Sequence, residues 1–411
     1  MSEVQAGRGG TGPRAVPDTR GVRVCHLTSV HPAYDTRIFE KECQSLARAG
    51  YDVHLVAPAA ASAVGRGVTL WAVPRARNRI SRALVTTARV LACGWRLRAR
   101  VYHFHDPELI PVGVTLRILG KRVIYDVHEE LPADILDKQY LPRWIRALLA
   151  RVVDVGERSA ARAFSAVVAA TPAIARRFPA ARRVIVQNFP LPSEFGSIDG
   201  APYASRPPLV AYVGLINEIR GGVEMVRAIE QTSAEPRPSL VLAGRFDTPA
   251  LEARLRGLGG WGRVDYRGVL PRDAVVRMLA EVRIGLVLFH PRPNHVESQP
   301  NKLFEYMAAG LPVVASRFPL WQEIVEGARC GLAVDPLDPD AIAEAIGWLL
   351  AHPNEAAAMG ERGRTAVRER FNWPWEEATL LACYRDLGLS PVTDSVAAAA
   401  PSAQRTPGAE S

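Results

Sequence analysis

The sequence predicts an α/β protein made of two doubly wound, Rossmann-like halves that face each other across a cleft. Two observations lead there. Short apolar runs alternate with helical, amphipathic stretches, and that alternation occurs twice along the 411 residues. Between the two series, residues 190–208 turn to Pro, Gly and Ser without periodicity, which is the composition of an interdomain linker. The length is enough for two cores of ordinary size. The expected division is a tail over 1–20, a first domain over 21–195, a second over 205–370 and a tail over 389–411. Both tails are rich in Gly, Ala, Ser or Pro and are expected to be disordered.

Composition narrows the class. Hydrophobic residues make up 48% and charged residues 23%, the balance of a soluble globular protein. No apolar run approaches the length needed to span a bilayer, and the first twenty residues lack the apolar stretch of a secretory signal. The five cysteines (Cys25, Cys43, Cys93, Cys330, Cys383) are scattered without a CxxC pair, which suits a reducing cytoplasm and argues against a zinc cage. The formal net charge is +9, carried almost wholly by arginine; the only lysines are Lys41, Lys121, Lys138 and Lys302. We read the arginine skew as coding bias. A basic balance points to nucleic acid, anionic lipid or an anionic substrate. The chain has no helix-turn-helix, zinc-finger or RNA-binding pattern, so nucleic acid is set aside.

In the first half, residues 22–28 read as an apolar strand. Asp35 is placed to cap a helix over 36–49 ended by Gly50, and 52–57 is the next strand. A short strand at 68–73 precedes a basic helix over 79–100, whose apolar residues alternate with arginines at helical spacing. That helix either packs on a sheet with a charged outer face or touches an anionic membrane. Strands at 101–104 and 122–127 end in polar clusters, His103-Phe-His105-Asp106 and Tyr125-Asp126-Val-His128. Carboxyl ends of parallel strands open into the crevice of a doubly wound sheet, so both clusters should face the cleft. The HxHD string is part of a metallohydrolase ligand set, but the further spaced ligands are missing. A long helix over 139–164, a strand at 166–170, a helix capped by Thr171-Pro172 and a strand at 184–187 follow.

The second half restarts at 209–213, then GLINEIRGG and a helix from Gly222. Strands at 239–243, 264–266 and 283–289 are each separated by a helix. The most informative stretch is HPRPNHVESQPNKLFEYMAAGLPVVAS, residues 290–316. A Pro/Asn-rich loop enters a helix near Pro300, with Ser298 or Asn301 as its cap and Gly310 past its end, and a strand follows over 311–315. Glu297 and Glu305 bracket the helix start with Lys302 between them. A helix N-terminus at the carboxyl end of a parallel strand attracts anions, and the carboxylates suit sugar hydroxyls. The segment is thus suited to a ligand that is both phosphate and polyol. A last strand at 329–334 and helices at 338–350, 356–370 and 373–387 close the chain.

The Glu-x7-Glu spacing in this context resembles the donor motif of retaining GT-B glycosyltransferases of family 4, and the resemblance covers roughly residues 22–388. It implies a GT-B fold in which residues 371–388 return to the first domain. It implies transfer of a hexosyl unit from a nucleotide-diphosphate sugar, UDP- or GDP-linked, to an acceptor hydroxyl with retained anomeric configuration. No metal and no cofactor is implied. Carried over by position, Glu297, Lys302, Arg220 and His128 are the catalytic set. Gly214, Arg245, Val269, Asn301 and Glu305 are donor contacts. On the acceptor side, His105 either orders its loop or touches the sugar, and Arg37 or His31 substitutes for loop glycines. The chain departs from the family at Leu215, where arginine is usual, and in the first loop, SVHPAYDTR, which has no glycine. The usual setting implies a cytoplasmic enzyme of cell-surface polysaccharide or glycolipid synthesis, with a lipid-linked acceptor and contact with an anionic membrane. A nucleotide-sugar epimerase, a metal-dependent hydrolase and a non-catalytic binding module remain as alternatives.

Overall fold

The computed structural model describes residues 21–391, apart from 77, 79–80, 139–140 and 197–201. Of the expected tails over 1–20 and 389–411, residues 1–20 and 392–411 lie outside the described residues, as do the first residues of the helices expected at 79 and 139. Leu389 is instead fully buried and its carbonyl accepts from Tyr51 Oη, so the tail begins later than expected.

The first half forms an eight-stranded sheet. Its strands are β1 (Arg23–Leu27), β2 (Asp52–Pro58), β3 (Ala63–Gly65), β4 (Val68–Val73), β5 (Val101–Phe104), β6 (Arg122–Val127), β7 (Ala166–Ala169) and β8 (Arg183–Ile185), in spatial order 3-4-2-1-5-6-7-8. All pairs are parallel except β3 with β4, a short antiparallel edge that the sequence reading did not anticipate. Central strands are buried on both faces, which is why they read as continuous apolar runs rather than alternating ones. One face is covered by α1 (Gln44–Arg48), which continues a π-helical segment over Ile38–Cys43. The other face carries α2 (Thr87–Arg96), α3 (Ile110–Ile118), the C-terminal end of α5 (Arg143–Ala161) and α6 (Pro172–Arg176). Helix α4 (Leu131–Leu136) lies between β6 and α5 and packs on α5. Thr171 caps α6 by accepting from the amide of Ile174, as its position before Pro172 suggests. Asp35 likewise accepts from the amides of Arg37 and Ile38 at the first helix of the chain.

The second half forms a fully parallel six-stranded sheet. Strands β9 (Leu209–Val213), β10 (Ser239–Ala243), β11 (Val264–Gly268), β12 (Ile284–Val287), β13 (Val313–Ser316) and β14 (Gly331–Val334) lie in the order 11-10-9-12-13-14. Helices α7 (Gly222–Gln231), α8 (Pro249–Arg256), α9 (Arg272–Glu281), α10 (Pro293–Val296), α11 (Asn301–Ala308), α12 (Pro319–Gly327), α13 (Pro339–Ala351) and α14 (Pro353–Glu369) connect or flank them. Two apolar clusters sandwich this sheet, one centred on Leu303, Tyr306 and Trp321, the other on Val226, Ile229 and Ile346. Strand order reverses direction between β1 and β5 in the first sheet and between β9 and β12 in the second. At such switch points the loops after adjacent strands diverge and leave a crevice.

Helix α15 (Trp373–Asp386) packs against the first sheet rather than the second. Trp373, Leu380 and Tyr384 are fully buried beside Val24, Val53 and Leu55, and Trp373 Nε1 donates to Ser45 Oγ at 2.9 Å. Replacing a buried aromatic of this size by alanine costs about 3–5 kcal/mol. Trp373→Ala should therefore lower the unfolding free energy by an amount in that range; a loss near zero in equilibrium denaturation would show that α15 does not anchor there.

Candidate active site

The two reversals face one cavity of about 600 Å³. From the first half it is lined by the loops after β1 and β6, with His31, His128, Glu129 and Glu130, and by the start of α6 at Thr171. From the second half it is lined by Gly214 and Arg220 after β9, Phe289 after β12, and residues 297–305 at the start of α11.

Helix α11 opens into this cavity without a side-chain cap. Pro300 occupies the position before the first helical residue, so the expected caps are not used: Ser298 Oγ donates to the His295 carbonyl instead. The leading amides of α11 and the positive end of its dipole are left to the cavity. Gly310, with φ +71°, ends the helix in the left-handed conformation expected for it.

Lys302 follows directly. Its ammonium is buried, has no hydrogen-bond partner among the described residues, and lies 3.7 Å from the ring centre of Tyr212 and 5.3 Å from that of Phe289. Burial first, and then the neighbouring Arg220, hold it well below the ordinary lysine range, while Glu305 pulls in the opposite direction. Arg220 closes a 3₁₀ turn before α7; its guanidinium lies 5.2 Å from the Phe289 ring centre and its Nε has no hydrogen-bond partner. Two basic side chains therefore stand over aromatic faces beside an uncapped helix end, which is an arrangement that favours an anion between them. Gly214, with φ +123°, leaves the space: a Cβ there would come within 3.3 Å of the Lys302 nitrogen.

Glu305 sits one turn further into α11 and accepts from Arg272 Nη1 at 2.7 Å. Arg272 also holds Glu194 through Nε and Nη2 at 2.9 and 2.6 Å. Neither Arg272 nor Glu194 was foreseen, because a lone arginine at a helix start and a glutamate in a linker carry no periodic signal. Glu297 is at the rim, 58% exposed, and takes a hydrogen bond from Arg176 of the first half at 2.9 Å. Asn301 is exposed at the first position of α11 and lines the cavity.

Arg245 and Val269 do not join this group. Both are exposed, Val269 to 73%, and neither lines the cavity. They follow β10 and β11, one and two strands outside the β9/β12 reversal, so their loops run along the sheet's outer edge. Gly244 turns the chain there, its amide donating to the Gly268 carbonyl at 2.7 Å; a side chain at Gly244 would strike the Gly214 carbonyl at 1.8 Å.

On the first half, His128 lines the cavity while its Nε2 lies 2.7 Å from Asp126 Oδ2. His31, opposite it at 5.1 Å between ring centres, pairs with Asp106 at 2.9 Å. Burial opposes protonation of His31, but the hydrogen bond and charge of Asp106 outweigh it and raise its pKa. The cavity thus carries a histidine whose protonation Asp106 favours, at a position that sequence reasoning had offered only as a substitute for the missing loop glycines.

His105 belongs beneath the cavity floor, while Arg37 lines the cavity with its guanidinium held by Asp126. His105 is 2% exposed, does not line the cavity, and contacts Asp126 at 3.1 Å and His26 at 2.9 Å; burial lowers its pKa to about 4, so it is neutral. Arg37 is 4% exposed, and its guanidinium donates to Asp126 at 2.9 Å and to the Val186 carbonyl at 2.8 Å. It also lies 3.0 Å from Glu42 Oε1, as an ion pair without hydrogen-bond alignment. Donor atoms of Glu42, His103, His105 and Asp126 lie within 4.8 Å of one another, a spacing that suits a cation. The guanidinium of Arg37 already supplies positive charge to both carboxylates of that set. Removing one partner of such a buried pair costs about 3–5 kcal/mol. Arg37→Met should show that loss in thermal or denaturant unfolding, whereas a ligand contact at this position would leave stability unchanged.

Comparison with known proteins agrees with this geometry. The family model described as "Glycosyl transferase 4-like domain" matches residues 36–189, and that described as "Glycosyl transferases group 1" matches residues 207–352. D-inositol 3-phosphate glycosyltransferase of Xylanimonas cellulosilytica is 31% identical over 178 residues, 43% of this chain and 42% of the relative. GDP-mannose-dependent alpha-(1-6)-phosphatidylinositol monomannoside mannosyltransferase of Mycolicibacterium smegmatis is 46% identical over 71 residues, 17% of this chain and 18% of the relative. The chain thus spans less than half the length of these curated relatives in each match. Among solved structures, sucrose-phosphate synthase from Thermosynechococcus elongatus superposes with a TM-score of 0.72 at 20% identity, over 90% of this chain and 99% of that one. Anabaena HepE in complex with UDP-glucose superposes with a TM-score of 0.66 at 14% identity, over 89% of this chain and 99% of that one. In sequence the chain belongs to the group 1 glycosyltransferases of family 4 type, and its two facing parallel-sheet halves are the GT-B fold.

Proposed function

We propose that the protein is a retaining, metal-independent glycosyltransferase that moves a hexosyl unit from a nucleotide-diphosphate sugar to an acceptor hydroxyl. The observation that carries this reading is the meeting of Lys302, Arg220, Glu305 and the uncapped end of α11 in one cavity between the halves. When the bond between the anomeric carbon and the β-phosphate oxygen breaks, negative charge grows on the departing nucleoside diphosphate. Lys302, Arg220 and the α11 amides would stabilise that charge in place of a metal ion, in a partly desolvated site where such interactions are strong. Arg220 would also make up for the arginine missing at Leu215. Glu305, fixed by Arg272, would receive the ribose hydroxyls.

The sugar would lie between Glu297 and His128. The acceptor oxygen would form its new bond on the face the phosphate leaves, with a donor phosphate oxygen taking the acceptor proton, so no protein carboxylate attacks. Asp126 would hold the imidazole of His128 in one orientation toward the sugar. No cofactor is needed in this scheme. The names of the mycolicibacterial and inositol-phosphate relatives favour an acceptor that is a polyol phosphate or a lipid-linked glycan in cell-surface synthesis, at the cytoplasmic membrane face.

A thermal-shift panel of UDP- and GDP-sugars should single out one donor, since only a matched ligand raises the melting temperature by mass action. With that donor, Glu305→Gln should weaken binding, while Lys302→Ala and Arg220→Ala should each slow turnover by about 10-fold or more. If neither basic substitution reached that loss, the assignment of the diphosphate clamp would be wrong.

The depressed pKa of Lys302 supplies a test without turnover. A bound diphosphate would raise that pKa again, so between the free and bound values binding takes up a proton, and affinity falls as pH rises through that window. Calorimetry of UDP or GDP over a series of pH values, each in two buffers of different ionisation heat, should register proton uptake inside that window, and Lys302→Met should remove it.

A further inference from the structure

We propose that Arg272 is a positioning residue that holds Glu305 away from Lys302, so that the ammonium stays vacant for an anionic ligand and the carboxylate stays available to hydroxyls of the same ligand. This rests on the proposed function only in taking that ligand to be the donor, with its diphosphate at Lys302 and its ribose at Glu305.

Glu305 follows Lys302 by three positions on α11, and side chains at that spacing are neighbours on one helix face. A carboxylate and a buried ammonium so placed should pair, because attraction between them offsets part of the cost of taking each from water. They do not pair. Lys302 has no hydrogen bond among the described residues, and Glu305 accepts at Oε1 from Arg272 Nη1 at 2.7 Å instead. Burial and Arg220 lower the pKa of Lys302 while Glu305 still pulls it up, so the attraction persists without contact.

Arg272 wins this competition because it is itself fixed. It opens α9, in the connection that follows β11. Its Nε and Nη2 donate to Glu194 Oε2 at 2.9 and 2.6 Å, so two edges of one planar fork are held at once. The guanidinium carbon lies 5.4 Å from the ring centre of Phe195. Glu194 and Phe195 share a short helical turn, Pro192–Phe195. Phe195 is buried in the apolar cluster that also contains Leu303 and Phe304 of α11. The brace and the helix it braces therefore stand on one core.

A bridge kept for stability alone fits less well. Neither Arg272 nor Glu194 lines the cavity, and the side chains of Arg272, Glu194 and Glu305 are 38, 23 and 15% exposed. Ion pairs this open to water add little to folding. Their effect on a ligand is larger, since loss of Arg272 would free Glu305 to occupy the ammonium that the ligand needs.

The test is titration calorimetry of the full chain with inorganic pyrophosphate, which has no ribose, and with UDP and GDP. Arg272→Met should weaken pyrophosphate binding by about 10-fold or more, and Glu194→Gln should do so to a lesser degree, both with an unchanged melting temperature. Glu305→Gln should weaken nucleotide binding without weakening pyrophosphate. In Arg272→Met/Glu305→Gln no carboxylate is left to reach Lys302. Pyrophosphate affinity should then return to that of Glu305→Gln alone, while the nucleotide loss remains. Pyrophosphate affinity unchanged in Arg272→Met overturns the proposal, because the bridge would then serve the fold only. An equal loss with and without Glu305→Gln also overturns it and would make Arg272 a direct phosphate contact. So does a wild type that binds no pyrophosphate. If the wild type binds pyrophosphate but neither nucleotide, the donor reading falls, and the pyrophosphate series still decides the role of Arg272.

Discussion

A buried ammonium without a hydrogen-bond partner is expensive, and the architecture of the second half is arranged around one. Lys302 is held over Tyr212, the next-to-last residue of β9, and beside Phe289, which follows β12. These are the two strands at which the sheet order reverses. The same helix fixes that geometry from the other side: Tyr306 Oη accepts from the Val213 amide at 2.9 Å, pinning the end of β9 to α11. The ring of Tyr306 lies so close to β12 that a Cβ at Gly285 would be 2.4 Å from it. Aromatic faces lessen the penalty of removing a cation from water but do not replace its lost hydrogen bonds. The unfilled capacity of Lys302 and of Arg220 Nε is thus stored in the folded state and points into the cavity.

The first half carries the opposite solution. Its polar residues at the strand ends are paired with one another rather than left open. Asp126 is contacted by Arg37, His105 and His128, and Asp106 by His31, Thr28 and the amides of Ser29 and Val30. Although burial opposes ionisation, these partners hold both carboxyls below the usual carboxylate range. Tyr384 of α15 joins the buried histidines through His103 at 2.9 Å, so the last helix is connected to the floor of the cavity by hydrogen bonds as well as by apolar packing. Such a network gives His128 a fixed ring orientation, whereas the second half supplies charge.

Much of the fold was legible because fully buried parallel strands have only one composition. Runs such as those at 101–104, 166–169 and 313–316 admit no solvent-facing alternation. The start of α11 was legible for a related reason: proline, a small polar loop and a terminal glycine restrict where a helix begins and ends. What was not legible depended on tertiary contact. Nothing local shows that His105 is covered, that Arg37 turns inward toward Asp126, or that Arg272 reaches Glu305 across 33 positions. The loops bearing Arg245 and Val269 read like their neighbours; only the spatial order of β10 and β11 places them away from the reversal.

The ion pair between Glu297 and Arg176 spans the two halves at the mouth of the cavity, with side chains 58 and 61% exposed. Pairs so open to water contribute roughly 0–1 kcal/mol and weaken in salt. The gateway is therefore fastened by a latch no stronger than thermal agitation, one that water and salt can open at little cost.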